Sequence, residues 1–217
     1  MAKQNKIVSV VAQKGGCSKT TLAVNIAVQM KKNYPALRVA LIDADPQRSA
    51  SEWLSVSDEK SGVHVFQMEG SLESMLGRLE SDVTIVDCPP GIHDVTVHAI
   101  VYSDLTLIPV GHSSPELKAL TGILEACKKV TAADPTKKYL LVPSRVTAQS
   151  TSGKEFRDTL KAYGVVSRSQ LAYRVAYSDG VLYGTGVCYS HPGSAAHKEI
   201  SELTREVQNI LKLREPK

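Results

Sequence analysis

Apolar and polar positions along the chain form two alternating kinds of segment. Short runs rich in β-branched residues, typical of buried strands, are separated by longer segments with apolar residues at helical spacing. The strand candidates are Ile7–Ala12, Arg38–Asp43, Val63–Met68, Val83–Asp87, Leu105–Val110 and Tyr139–Pro143. The helix candidates are Thr20–Lys32, Gln47–Leu54, Leu72–Glu80, Val95–Val101, Pro115–Val130, Gly153–Tyr163 and Ala195–Leu213. This alternation predicts an α/β fold, with a doubly wound, mainly parallel sheet and helices on both faces.

Two of these elements have especially clear patterns. The strand candidate that begins at Val83 is almost entirely apolar or β-branched, which is typical of a strand at the centre of a sheet. In the last helix candidate Ile200, Leu203, Val207 and Ile210 fall on one stripe, so we expect this helix to pack on the core.

Composition fits a single domain spanning residues 1–217, because the sequence contains no long linker, repeat or low-complexity tract. Hydrophobic residues make up 42% of the chain, enough for a sizeable core. No apolar run approaches the roughly 18 residues of a membrane span. The cysteines are Cys17, Cys88, Cys127 and Cys188. Their spacing suggests neither disulfides nor a metal site, and together with the missing secretory segment it predicts a cytoplasmic protein.

The segment 13–21 carries the strongest chemical signal, since it joins the first strand candidate to the first helix candidate. Gly15 and Gly16 permit a tight loop whose backbone N–H groups point at a phosphate, next to the positive end of a helix. Lys19 can reach the β- and γ-phosphates of a nucleotide, and the Thr20 hydroxyl can bind Mg²⁺. The predicted nucleotide-binding residues of this loop are Gly15, Gly16, Cys17, Ser18, Lys19, Thr20 and Thr21.

This loop departs from the general P-loop pattern, which has glycines where Gln13 and Ser18 stand. It also has a second lysine, Lys14, ahead of its two glycines. In these features it resembles the deviant Walker A box of the ParA/MinD family of cargo-positioning ATPases, which implies a P-loop NTPase fold. That family usually has glycine at the position of Ser18, so the serine is a departure. The alternative is a glycine turn with two unrelated lysines.

Asp43 and Asp45 follow the second strand candidate in the sequence Asp-Ala-Asp-Pro-Gln. Ligands of open α/β sheets bind beyond the carboxyl ends of the strands, so both carboxylates are well placed. The segment resembles the corresponding box of the ParA/MinD family. The resemblance implies that Asp43 helps to hold Mg²⁺ or its water shell and that Asp45 positions or activates the attacking water. A helix N-terminus decorated with acidic residues is the alternative.

Asp87 ends the fourth strand candidate and is followed by Cys88 and Pro-Pro-Gly. An apolar strand that closes on aspartate is the Walker B signal, and its carboxylate reaches Mg²⁺ through a water molecule. The resemblance to the family's Asp-Cys-Pro-Pro motif therefore implies Thr20, Asp43 and Asp87 as the metal-binding residues. Cys88 is expected to be a small buried residue rather than a nucleophile.

Arg145 follows the last strand candidate, where many family members have Asn-Arg close to the adenine. The resemblance implies that Arg145 stacks on the adenine, while Ser144 departs from the family pattern.

Lys14 is the residue that separates this family from ordinary P-loop proteins. The resemblance implies that it crosses a nucleotide-sandwich homodimer and contacts the partner's phosphates, as an arginine finger does. ATP would then join two subunits, and hydrolysis would be slow until a separate ParB-like or adaptor protein stimulates it. A solvated loop cation is the alternative.

DNA and membrane are the two surfaces on which such a switch acts. The C-terminal segment lacks the bulky aromatic residues of membrane-targeting helices, so we expect no membrane partner. The net charge is +4, and the C-terminal third combines basic and tyrosine side chains that could bind DNA non-specifically in an ATP dimer associated with the nucleoid. These residues are Arg168, Arg174, Lys198, Arg205, Lys212 and Arg214, with Tyr163, Tyr173, Tyr177 and Tyr183.

The predicted function is therefore an ATP-dependent dimerising ATPase that positions or segregates plasmid or chromosome DNA or a large protein compartment. A MinD-like regulatory ATPase, a nucleotide-gated binding module, and a metabolic P-loop enzyme similar to dethiobiotin synthetase remain as alternatives.

Overall fold

Strands and helices alternate through the computed structural model, which describes residues 5–56, 61–147 and 151–214. The strands are β1 Lys6–Val10, β2 Val39–Asp43, β3 His64–Gln67, β4 Val83–Asp87, β5 Leu105–Gly111, β6 Lys138–Val146 and β7 Leu171–Ala172. The helices are α1 Lys19–Asn33, α2 Ser49–Ser55, α3 Leu72–Arg78, α4 Asp94–Tyr102, α5 Ser114–Ala133, α6 Thr151–Lys161, α7 Val175–Leu182, α8 Val187–Ser190 and α9 Ala195–Leu211.

The strands form one parallel sheet in the order β3-β2-β4-β1-β5-β6-β7. Helices cover both faces, because α1, α2 and α7 to α9 pack into one apolar core and α3 to α6 into another. The predicted doubly wound α/β fold is confirmed. β1 lies in the middle of the sheet, so the loop that follows it opens at the centre of the carboxyl edge.

Alternation along the strands explains how one sheet serves two cores. On β6, Leu140 and Val142 belong to the core under α1 and α9, while Leu141 belongs to the opposite core. β4 is buried at every position, as its continuous apolar pattern predicts. The predicted stripe of α9 is confirmed as well, since Ile200 is fully buried and Ile210 packs against the same core.

The structure contains three elements that the sequence pattern does not predict, namely β7, α7 and α8. It also moves the start of α2 from the predicted Gln47 to Ser49. The reason is a turn around Asp45, whose carbonyl oxygen accepts from the Arg48 N–H at 2.9 Å and whose carboxylate accepts from the Gln47 N–H at 3.0 Å. The last helix ends at Leu211, two residues earlier than predicted, because Lys212 is left-handed with a φ of 55°.

Candidate functional site

Three strands deliver the candidate residues to one place at the carboxyl edge of the sheet. Val10 and Asp43 both pair in register with Asp87, so the ends of β1, β2 and β4 lie side by side. The loop after β1 therefore opens next to both carboxylates, as expected for the ligand site of an open α/β sheet.

The loop between β1 and α1 has the backbone geometry of an anion-binding nest. Gly16 and Ser18 are both left-handed, with φ of 76° and 67°, and the buried Cys17 lies between them. Among the described residues, none accepts a hydrogen bond from the N–H groups of residues 16–21. These donors are free for an anion, and the N-terminus of α1 adds its partial positive charge.

The two lysines of the loop lie in different environments. Lys19 begins α1 and is only 7% exposed, whereas Lys14 is exposed on the outer side of the loop. Neither ammonium group forms an ion pair with the residues that the structure describes. The loop therefore carries one buried ammonium group, that of Lys19, and one that faces solvent, that of Lys14.

Thr20 and Asp87 form the tightest polar contact of the site. The Thr20 hydroxyl donates to Asp87 Oδ2 at 2.6 Å, while Oδ1 of the fully buried Asp87 has no hydrogen-bond partner in the described part of the chain. Burial raises the pKa of Asp87 from 3.8 to about 7, the Thr20 hydrogen bond opposes this, and the charge of Asp43 adds to it. An orphaned carboxylate oxygen beside a hydroxyl fits Mg²⁺, a hard cation that prefers oxygen ligands.

The described residues contain no group of three or more His, Cys, Asp and Glu side chains arranged around a metal ion. In nucleotide sites Mg²⁺ commonly uses one or two carboxylates together with substrate phosphates. Thr20 and Asp87 would hold the ion, and when bound it would neutralise charge that develops on the phosphates.

Asp43 and Asp45 come from one segment but lie in different surroundings. Asp43 is buried, and its carboxylate accepts from the Ser51 N–H at 2.8 Å and from the Asp45 N–H at 3.3 Å. It thereby caps the first turn of α2 from the neighbouring strand. Asp45 is half-buried, and its carboxylate accepts from the Gln47 N–H. The structure thus brings Asp43 and Asp87 together on adjacent strands and leaves Asp45 in the turn before α2.

A cavity of about 690 Å³ opens beside the loop and continues between α2 and α7. Its volume lies in the range of small-molecule and cofactor sites. Trp53 of α2 closes one side, and its indole N–H donates to the Thr185 carbonyl at 3.0 Å. The lining residues include Ser18, Lys19, Thr20, Thr21, Trp53, Arg145, Tyr173, Arg174 and Tyr177.

Arg145 lines the same cavity, and its Nη1 donates to the Gly16 carbonyl oxygen at 2.9 Å. Its guanidinium carbon lies 5.8 Å from the centre of the Tyr173 ring. Sequence reasoning included Arg145 in the site but missed Trp53 and Tyr173 as cavity residues. The position of Trp53 in the helix that follows the Asp-Ala-Asp box is the signal that could have found it, since that helix starts at the carboxyl edge.

Two of the residues predicted to contribute to a DNA surface are used internally. Glu199 of α9 accepts from the Arg174 guanidinium at 2.7 Å and from the Tyr177 hydroxyl at 2.9 Å. Because Tyr177 is buried and Arg174 is paired, neither belongs to an exposed basic patch. The other basic residues predicted for this surface are exposed, namely Arg168, Lys198, Arg205, Lys212 and Arg214.

Among the described residues, no helix combines the length and the apolar character that crossing a bilayer requires.

Comparison with known proteins gives consistent matches. The model of the CobQ/CobB/MinD/ParA nucleotide-binding domain family matches residues 8–187. Maintenance of carboxysome distribution protein A (McdA) from Halothiobacillus neapolitanus is 28% identical over 202 residues, which cover 89% of this chain and 92% of the relative. The sporulation initiation inhibitor protein Soj from Bacillus subtilis is 25% identical, with 93% and 98% of the two chains covered. The solved ATP complex of an McdA variant from Cyanothece has a TM-score of 0.74 at 18% identity and covers 98% of both chains.

The chain therefore belongs to the CobQ/CobB/MinD/ParA family of nucleotide-binding domains, and the predicted resemblance to the ParA/MinD ATPases is confirmed. It is therefore a nucleotide-binding domain, and neighbours with the same fold have been solved with ATP and with Mg-ADP.

Proposed function

We propose that this protein is an ATP-dependent dimerising ATPase that positions a large cargo. The observation that carries the proposal is the pair of loop lysines, one buried beside free backbone donors and one exposed. An exposed cation next to a phosphate-binding loop can reach the phosphates of a second subunit that docks face to face. Hydrolysis then separates the subunits, so that the nucleotide acts as a timer.

Each residue at the carboxyl edge takes a role that follows from its surroundings. Lys19 neutralises the β- and γ-phosphates in its own subunit, and Lys14 contacts those of the partner subunit. Thr20 and Asp87 hold Mg²⁺, with Asp43 supporting its water shell. Asp45, in the turn before α2, orients the attacking water.

Three substitutions test this assignment by the oligomeric state with and without ATP. Lys19→Ala should abolish nucleotide binding, because it removes the charge that faces the phosphates from within the subunit. Asp45→Ala should bind ATP and accumulate as a dimer, because hydrolysis stops. Lys14→Ala should bind ATP as a monomer or as a dimer that does not hydrolyse it. The measurements are isothermal calorimetry and light scattering coupled to size exclusion.

The proposal would be wrong if Lys14→Ala behaved like the unaltered protein in both dimerisation and hydrolysis. An Asp45→Ala variant that stays monomeric in the presence of ATP would also contradict the proposal.

The cargo is proposed by analogy with relatives that are named for carboxysome distribution and for chromosome partitioning. We infer that the ATP dimer holds DNA non-specifically through its exposed basic residues and that it acts at the nucleoid in the cytoplasm. A separate ParB-like or adaptor protein would then stimulate hydrolysis and release it. A pull-down with the Asp45→Ala variant as bait in the presence of ATP can identify this adaptor.

Hydrolysis rates separate this function from its alternatives. A positioning ATPase should turn over slowly alone and faster with DNA and its adaptor together. The family also contains the CobQ and CobB group. Turnover that depended instead on a small carboxylic acid or amine, with no effect of DNA, would identify a metabolic enzyme and contradict the positioning function.

A further inference from the structure

Arg145 lies in a backbone irregularity that turns its side chain toward the phosphate loop. Ser144 pairs with Leu171 and Val146 with Ala172, and the register shifts between them, so Arg145 is the extra residue of a bulge. Its backbone is left-handed, with a φ of 55°. Bulges redirect side chains next to functional sites, and a left-handed conformation costs a residue other than glycine roughly 1 kcal/mol. The contacts of the redirected side chain therefore have to offset this cost.

The redirected guanidinium contacts the loop backbone itself. Arg145 Nη1 donates to the Gly16 carbonyl oxygen at 2.9 Å, and the cation lies over the Tyr173 ring at 5.8 Å. An added Cβ at Gly16 would lie 3.7 Å from Nη1, an ordinary van der Waals distance, so the guanidinium lies directly against this part of the loop. Tyr173 is 74% exposed, so it supports the guanidinium from the solvent side of the cavity.

The Gly16 carbonyl and the Cys17 N–H belong to one planar, trans peptide group and point in opposite directions. A donor that holds the carbonyl oxygen on the cavity rim therefore also fixes the direction of the Cys17 N–H. That N–H is one of the loop donors for which the described residues provide no acceptor. Because Gly16 has wide conformational freedom, its peptide plane would otherwise be the least constrained part of the nest.

We propose that Arg145 is a positioning residue of the phosphate loop, which fixes the Gly16–Cys17 peptide so that the nest is set for the phosphates before a nucleotide binds. This inference rests on the proposed nucleotide site. It differs from a role in stacking on the base, because its effect reaches the nucleotide through the loop backbone and is independent of the base.

Inorganic tripolyphosphate separates the two roles, since it has the phosphates of ATP and no base. We expect Arg145→Gly to weaken tripolyphosphate and ATP binding by the same factor, about tenfold for the loss of one charge-assisted hydrogen bond. Glycine accepts the left-handed backbone of the bulge, so this variant keeps the fold. Isothermal calorimetry in the absence of Mg²⁺, with tripolyphosphate and with ATP in separate titrations, gives the affinity for each ligand.

Rescue experiments make the test specific. Arg145→Lys should recover part of the affinity, because an ammonium group can donate to the same carbonyl, and free guanidinium at low concentration should partly rescue Arg145→Gly. Tyr173→Ala should have a smaller effect of the same kind on both ligands. Arg78→Ala serves as the matched control, because Arg78 is an exposed arginine whose hydrogen bonds to described residues lie within α3, to the Ser74 carbonyl and hydroxyl.

Unchanged tripolyphosphate affinity in Arg145→Gly would overturn the inference, and a loss confined to ATP would assign Arg145 to the base instead. Either result leaves the proposed nucleotide site intact if the unaltered protein binds both ligands. Failure of the unaltered protein to bind ATP or tripolyphosphate would overturn the proposed function together with this inference.

Discussion

Ser18 holds a left-handed backbone conformation in the phosphate loop, with a φ of 67° and a ψ of 23°. Its side chain makes no capping hydrogen bond to α1, so no helix cap offsets the strain. We expect Ser18→Gly to raise the free energy of unfolding by about 0.5–1 kcal/mol, because relief of backbone strain exceeds the extra entropy of a glycine in the unfolded chain. This corresponds to a rise in Tm of about 1–4 °C for a chain of this size.

Lys212 provides the matched control, since it is left-handed at the C-terminal end of α9, far along the chain from the loop. Lys212→Gly should give a similar gain in Tm with no change in nucleotide affinity. A lower Tm for Ser18→Gly would mean that the serine stabilises the loop and is not simply tolerated there.

Asp87 makes the stability of the nucleotide-free protein depend on pH. Its pKa is about 7 in the native state, well above its ordinary value of 3.8, so protonation favours the native state. The stabilisation is complete below about pH 4 and is lost as the pH rises through 7. A difference of about three pH units corresponds to at most ~4 kcal/mol.

Asp87→Asn keeps the shape and the Thr20 hydrogen bond but cannot ionise. In the presence of a metal chelator we expect this variant to have a higher Tm than the unaltered protein at pH 8, a smaller advantage at pH 5, and an equal Tm below about pH 4. Adding Mg²⁺ and ADP at pH 8 should stabilise the unaltered protein and have little effect on the variant. If the Tm of the two proteins changed with pH in parallel, ionisation of Asp87 would not destabilise the native state, and this prediction would be wrong.

At the scale of elements, Glu199 connects three parts of the C-terminal region. Its carboxylate accepts from the Ala172 N–H of β7, from Arg174 just before α7, and from the hydroxyl of Tyr177 within α7. Glu199→Ala leaves these donors without an acceptor, and we expect it to cost about 2 kcal/mol, or about 4–8 °C in Tm. The change in Tm is measured by thermal unfolding monitored by circular dichroism.

Because Arg174 and Tyr177 also line the cavity, the same variant should weaken nucleotide binding. Tyr177→Phe is the matched control, since it removes only one donor and keeps the buried ring, so it should cost about 1 kcal/mol or less. Equal losses in the two variants would mean that the Tyr177 hydroxyl accounts for the whole contribution of Glu199, and that the hydrogen bonds from Ala172 and Arg174 add nothing.

The elements that the sequence predicts well are those whose pattern is local. β4 is continuously apolar because it is buried on both faces, and α9 shows its stripe because one side of it packs on the sheet. β7 has only two residues, and it is placed by the bulge at Arg145, so nothing in its own sequence marks it. Gly180 weakens the helical pattern of α7, and the structure explains it, because an added Cβ would lie 3.2 Å from Trp53.

The same distinction holds for the site. The phosphate loop, the Asp43 box and Asp87 are short motifs whose chemistry is complete within a few residues, so the sequence alone predicts them together. Trp53 and Tyr173 reach the cavity only because α2 and the segment after β7 meet above α1. Contacts between parts of the chain that are more than 100 residues apart produce no local pattern, and only the position of Trp53 in the helix after the Asp43 box indicates that it lies near the carboxyl edge.

At the scale of the whole molecule, acidic residues on α9 reduce the net positive charge of the proposed DNA surface. Arg205 is exposed on α9, but the acidic Glu202 lies one turn before it and lines the same surface hollow. The Arg168 N–H donates to Glu206, which places a further acidic group on that face. Binding by such a mixed surface depends on two copies acting together, and it should appear only in the ATP dimer.

Opposite charge changes at neighbouring positions of this face test the surface directly. Arg205→Glu should weaken DNA binding by the ATP-bound Asp45→Ala dimer, and Glu202→Lys should strengthen it. Each phosphate contact contributes about 0.9 to the slope of log K against log salt, so the loss of Arg205 from both subunits should lower that slope by about 2. Anisotropy with a labelled random duplex at several salt concentrations measures both quantities. The same two substitutions made with Asp45 intact should leave the ATPase activity without DNA unchanged. If both variants bind DNA with the slope of the unaltered protein, α9 does not face the phosphates, and the proposed DNA surface must be abandoned at this site.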